Sequence, residues 1–164
     1  ASAAARAPGA RAVPADAQDS EEVALSAPEA DVDWAAVLAA LDAGRRRALA
    51  SGSSDELARF VDPQGDAWAD DAALLERLAS SGARIEGGGI ELGEVREEVV
   101  DGARARLLVR DRRLAYDVVE SGSTTHMAER PWRWWVVTLS ASPSLDGPSW
   151  RIADVSGADD RAAP

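Results

Sequence analysis

The chain contains no cysteine and no lysine, and only one histidine, one tyrosine and one phenylalanine. Without cysteine there is no disulfide, no thiolate nucleophile and no cysteine-type zinc site. His126 is the only imidazole, and neither spaced histidine ligands nor a repeated acidic loop accompanies it, so no metal and no cofactor is expected. The 18 basic residues, all arginine, face 29 acidic ones, for a formal charge of −11. That balance excludes a general affinity for nucleic acid, which relies on clustered cations releasing counterions. Long apolar runs are missing too: no window reaches the roughly 20 residues a membrane helix needs.

What is present suits one folded domain. A length of 164 residues supports a single core. The hydrophobic share of 46% is largely alanine, so the side chains that bury useful area are Leu, Val, Ile and six tryptophans. Residues 1–30 are rich in Ala, Pro, Arg and Asp, with no aromatic residue, and too little apolar surface to offset backbone ordering of about 1–2 kcal/mol per residue. They are expected to form a disordered tail or tether, as are residues 158–164. The chain opens at Ala1 rather than Met, and the expectation is that a signal peptide or membrane anchor precedes it.

Three helical patterns follow the tail. Trp34, Val37, Leu38 and Leu41 recur at helical spacing behind the acidic cap Asp31-Val32-Asp33, and Gly52 closes the segment. Arg45, Arg46 and Arg47 are expected in its solvated last turns, where cations complement the helix dipole; an anion site is the sharper reading of the same run. Ser53-Ser54-Asp55-Glu56 matches a capping box before a short helix bearing Leu57, Phe60 and Val61, which Pro63 and Gly65 terminate. Asp70 or Asp71 is expected to cap a third helix ending at Gly82.

After Gly82 the period becomes alternating. Ile85 opens it, Gly87-Gly88-Gly89 bends it, and a phase break between Leu92 and Val95 predicts a bulge. Asp101-Gly102 predicts a tight hairpin turn. The return strand carries Ala105, Leu107 and Val109 on one parity and Leu114, Tyr116 and Val118 on the other, which predicts a second bulge within Arg110 to Arg113. Residues 121–130 lack periodicity and read as a loop. Trp132, Trp134 and Val136 alternate with Trp135, Val137 and Leu139, so this strand is apolar on both faces and belongs in the middle of a sheet, covered on both sides, or beside a groove that leaves one side partly open. A turn over 143–148 leads to a last strand with Trp150, Ile152 and Val155. The fold class is α+β, with three N-terminal helices packed on the concave face of a curved, about four-stranded antiparallel sheet.

Chemistry is sparse in this text. His126 lies among threonines without a nucleophile-elbow sequence, and an exposed role outweighs a catalytic one. The three glycines lack the following helix that a phosphate loop requires. Asp117 is the plausible acid, but alternation puts it opposite Tyr116, which is expected to point inward. No catalytic residue is assigned. The candidate binding groove is formed by Trp68, Tyr116, Trp132, Trp134 and Trp150, weighed against simple core packing of the same rings.

Asp33-Trp34-Ala35-Ala36-Val37-Leu38 through Leu49, together with Trp132-Arg133-Trp134-Trp135-Val136-Val137-Thr138-Leu139 and Trp150-Arg151-Ile152-Ala153-Asp154-Val155, resembles actinobacterial members of the nuclear-transport-factor-2-like or cystatin-like α+β roll. The resemblance covers residues 31–157. It implies a non-catalytic binding or protein-interaction domain, the extracytoplasmic part of a membrane-anchored or secreted bacterial protein, with a protein or small hydrophobic ligand as partner and a homodimer as one arrangement. Any membrane contact would run through a segment upstream. The alternative it implies is a small-molecule-binding or isomerase-like or cyclase-like enzyme using the cone between sheet and helices.

Overall fold

The computed structural model describes residues 31–142 and 149–158. The expected tails, 1–30 and nearly all of 158–164, and the turn at 143–148 lie outside the described residues.

Helix α1 (Trp34–Ser51) starts where the Asp33 carboxylate accepts the Ala36 N–H at 3.0 Å, and it stops at the left-handed Gly52. Its buried stripe runs through Trp34, Leu38, Leu41, Ala48 and Leu49, as the spacing predicts. Helix α2 (Ser54–Leu57) is a single turn. Only half of its capping box forms: Ser53 accepts the Glu56 N–H, but the Glu56 carboxylate turns to the Ser51 hydroxyl at 2.8 Å. Helix α3 (Ala67–Ser81) begins ahead of the expected cap. Asp71 is not a cap at all, because it is 5% exposed and bonded to Arg45 of α1.

Seven strands replace the expected four, in two antiparallel sheets among the described residues. The larger sheet has the order β2 (Ile90–Val100), β3 (Arg104–Arg113), β6 (Arg133–Ser142), β7 (Ser149–Gly157). The smaller has the order β1 (Arg84–Gly87), β4 (Tyr116–Glu120), β5 (Ser123–Met127). The bulge after Leu92 is present, and a second lies between Glu97 and Val99. The parity change after Arg113 is not a bulge: the chain leaves one sheet at Leu114 and Ala115 and enters the other. The expected loop 121–130 contains β5, whose five residues are all exposed, so no apolar alternation marked it. The turn at Asp101-Gly102 is longer than two residues; the Asp101 carboxylate accepts the N–H groups of Ala103 and Arg104.

Strand β6 is central, between β3 and β7. Trp34, Leu38 and Leu41 of α1 form one buried cluster with Ala105, Leu107 and Val109 of β3 and Val137 and Leu139 of β6. A second cluster joins Ala48, Leu57 and Val61, with Trp68 partly buried against it. Beyond α2 the chain pairs with β7: Asp62 donates its N–H to the Ile152 carbonyl at 2.7 Å, and the Ile152 N–H reaches the Phe60 carbonyl at 2.8 Å. This covers the open edge of the sheet. Among the described residues no helix is long and apolar enough to cross a membrane.

Candidate functional site

Two cavities adjoin along α1. The first, about 510 Å³, lies between the second halves of α1 and α3 and strands β1 and β4. Leu49, Leu78, Ile85, Ile90, Tyr116 and Val118 supply its apolar wall. The second, about 420 Å³, lies between α1, the start of α3 and the larger sheet, over Leu38, Val109, Trp135, Val137 and Ile152. Asp42, Arg45, Ile90, Arg113 and Arg130 belong to both walls. Each volume is in the range of sites that enclose drug-sized molecules.

The shared wall is built by a polar ladder on the buried side of α1. Arg45 offers two guanidinium nitrogens to the two carboxylate oxygens of Asp71, and this pair ties α1 to α3. Burial works against the charge on Arg45, but the bond to Asp71 and the charges of Asp71 and Asp42 outweigh it and hold its pKa above the ordinary value. Asp42 accepts from Arg46 Nε at 3.0 Å and from the Ile90 N–H at 3.3 Å. That second bond fixes the start of β2 against the helix. The rim beside it is Gly87, Gly88 and Gly89, all at positive φ, which lets the backbone turn out of β1 directly over Tyr116 and Arg46.

Asp111 is one of four aspartates on the second cavity, with Asp42, Asp70 and Asp71. It is half-buried on β3, and burial pushes its carboxyl pKa up, opposed by the hydrogen bond from Trp135 Nε1 at 2.8 Å and assisted by the negative charge of Asp42. Arg113, two residues on, shares its parity. Its guanidinium lies 5.2 Å from the Tyr116 ring centroid, and its Nε is buried with no hydrogen-bond partner among the described residues.

The five residues of the expected groove do not share one cavity. Tyr116 lines the first, inward as expected. Trp68 packs at the second core cluster. Trp150 meets Trp34 edge to face at 5.2 Å between centroids, against the main core. Trp132 lies under Arg110 and Arg112, and Trp134 under Arg96, with guanidinium carbons 5.2 to 5.4 Å from the ring centroids. Trp134 alternates with the core residues Trp135 and Val137, which puts it on the other face of the sheet. The alternation that makes β6 apolar on both faces therefore divides the rings. Asp117 turns away from the cavities and receives His126 Nδ1 at 2.7 Å on the exposed side of β4 and β5.

Sequence reasoning missed Asp42, Asp111, Arg113 and Arg130 as wall residues, and it favoured solvated last turns for Arg45, which instead lies inside α1, ahead of its last turn, and is paired with Asp71. Two signals were available. Leu38, Asp42, Arg45 and Leu49 follow one another at helical spacing, so an acid and a base interrupt the buried stripe. Asp111 and Arg113 continue the inward parity of Leu107 and Val109. Arg130 follows β5 and carried no pattern.

No family model matches the chain, and no curated protein matches it. Among solved structures it is similar to the intermembrane-space region of the chloroplast protein ARC6, at 12% identity and a TM-score of 0.45, over 72% of this chain and 91% of that one.

Proposed function

We propose that this chain is a non-catalytic binding domain whose ligand enters the cleft formed by the two adjoining cavities. The observation that carries this reading is the wall they share. Asp42, Arg45, Arg113 and Arg130 are common to both cavities and stand beside the apolar walls of a preformed cleft, and convergent polar groups against apolar surface are the usual composition of a small-molecule site. The packing of α1 on β3 and β6 supports a nuclear-transport-factor-2-like or cystatin-like roll, with its helices on the concave side of the larger sheet. Display outside the cytoplasm, on a tether, rests on the sequence resemblance. Fractionation of cells expressing the full-length gene product tests it, and a purely cytosolic pool would remove it.

Binding is tested with an uncharged apolar fluorescent probe such as N-phenyl-1-naphthylamine. The unchanged protein should bind it in a saturable manner and gain thermal stability by mass action. Leu78→Trp, which sets a larger ring into the first cavity, should weaken that response while leaving the fold intact. A probe response indifferent to Leu78→Trp would mean that the cleft is not the site.

One observation favours the enzyme reading, an isomerase-like or cyclase-like activity: a half-buried carboxyl of raised pKa, Asp111, faces the second cavity. Such an enzyme would exchange deuterium into the α-carbon of an enolisable ketone and lose the exchange in Asp111→Asn. No exchange above the solvent rate for any ketone that binds would leave Asp111 a structural partner of Trp135.

A further inference from the structure

We infer that the first cavity is an anion site for an amphiphile, a molecule with one anionic headgroup, carboxylate or phosphate, on an apolar chain. This rests on the cleft being a binding site and adds the chemistry of what it binds. The chain as a whole carries a charge of −11, yet this cavity is lined by five arginines against two acids, Asp42 and Glu120. The local sign is thus the reverse of the global one.

Pairing within the protein accounts for only part of that positive charge. Arg45 is held by Asp71 and Arg46 by Asp42. Arg77, Arg113 and Arg130 have no ion-pair partner among the described residues; Arg77, Arg130 and Glu120 are exposed, which leaves Arg113 as the unpaired charge that is partly buried. Arg113 is the least satisfied of the three. Its Nε is sealed from solvent without an acceptor, and its guanidinium is stacked on Tyr116 at the wall between the two cavities. The enclosed Nε is out of a ligand's reach, but a carboxylate or phosphate oxygen entering from the cavity can accept from the terminal guanidinium nitrogens, which have no ion-pair partner, and would be the strongest acceptor available to them.

The remaining walls define the other end of the ligand. Leu49, Leu74, Leu78, Ile85 and Val118 offer no hydrogen bond from their side chains, so whatever follows the headgroup must be apolar. A small inorganic anion would use the arginines and leave this surface wet. A neutral hydrocarbon would use the surface and leave Arg113 unsatisfied. Only an amphiphile meets both.

The test is calorimetric titration of the full chain with four ten-carbon probes below their micelle concentrations: decanoate, decyl phosphate, decanol and decyltrimethylammonium. Decanoate or decyl phosphate should bind at least roughly tenfold tighter than decanol, as a charge-assisted contact to Arg113 implies, with the ammonium weakest. The order of the two anions tells a carboxylate from a phosphate site. Arg113→Gln should bring the anion down to the affinity of decanol, and Arg113→Lys should restore part of the preference. Decanol binding as tightly as decanoate would overturn the anion assignment and leave the cleft standing as a site. If none of the four probes binds, the cleft reading and this inference fall together. Should Arg113→Gln not fold, the order of the four probes on the unchanged chain decides, and Arg130→Gln gives the second substitution.

Discussion

Asp111 and Asp62 are carboxylates on either side of the main core, and their surroundings push them in opposite directions. Burial raises Asp111, and the bond from Trp135 only partly offsets it. Its folded pKa lies above its unfolded one, so its favourable contribution is complete below the unfolded value and is lost as pH rises through the folded value. Asp111→Asn retains a carbonyl acceptor for Trp135 without the buried charge. It should therefore stabilise the protein at pH 7 by a few tenths to about 1 kcal/mol, since partial solvent access screens the charge, and should change nothing in acid. Asp62 is the reverse case. The Ser140 hydroxyl donates to it at 2.6 Å and the Gln64 N–H at 3.0 Å, and these bonds, with Arg151 at 3.9 Å, hold its pKa below the ordinary value. The stability it contributes is present above the unfolded pKa and lost as pH falls through the folded one. Asp62→Asn should cost about 1 to 2 kcal/mol at pH 7 and progressively less as acid protonates the native carboxylate. Urea unfolding of both variants at neutral and acid pH checks the pair of signs.

The element that closes the larger sheet is not a strand but the segment following α2. Val61 makes a parallel bridge to Ile152, and Gly65 packs on the backbone of β7 so closely that a Cβ would overlap the Ala153 carbonyl. Gly65 was read from the sequence as a helix breaker; its tertiary role is this close approach. Gly65→Ala should destabilise by about 1 to 3 kcal/mol through overpacking, because backbone on the far side cannot yield as a side chain could. Gly157, at the end of the same strand, meets nothing within 4 Å, so Gly157→Ala should stay within about 0.5 kcal/mol of the parent. Thermal unfolding of the two variants side by side separates contact with this edge from the general cost of replacing a glycine.

At the scale of the whole molecule, two electrostatic effects compete. The ion pairs Arg84 with Glu86, Arg96 with Glu94 and Arg106 with Glu98 are exposed, and pairs of that kind contribute between 0 and about 1 kcal/mol each. Against them stands the self-repulsion of a net charge of −11. Salt weakens both, since exposed charges more than about 10 Å apart are screened at 0.1 M. Repulsion between many distant like charges is relieved more than a few short pairs are weakened. The melting temperature at pH 7 should therefore rise by a few degrees between about 10 mM and 300 mM sodium chloride. A fall would show that the surface pairs dominate.

The text of the chain by itself determined the elements whose signals are local: the acidic cap and glycine stop of α1, the bulge after Leu92, and a strand apolar on both faces, whose central place the sheet order then settled. It determined equally that cysteine chemistry is excluded, because composition needs no fold to be read. Tertiary structure alone decided that there are two sheets, since a change of parity looks the same whether a strand bulges or the chain crosses to another sheet. It alone revealed β5, whose residues are exposed on both faces and leave no hydrophobic period. The site belongs to this second class. Arg45 on α1, Asp71 on α3 and Arg113 at the end of β3 are far apart in sequence, and each by itself reads as a solvated charge. Arg45 and Asp71 acquire each other, and Arg113 its place against Tyr116, only when helix and sheet close over them, because the free energy of a charge is set by what surrounds it in space.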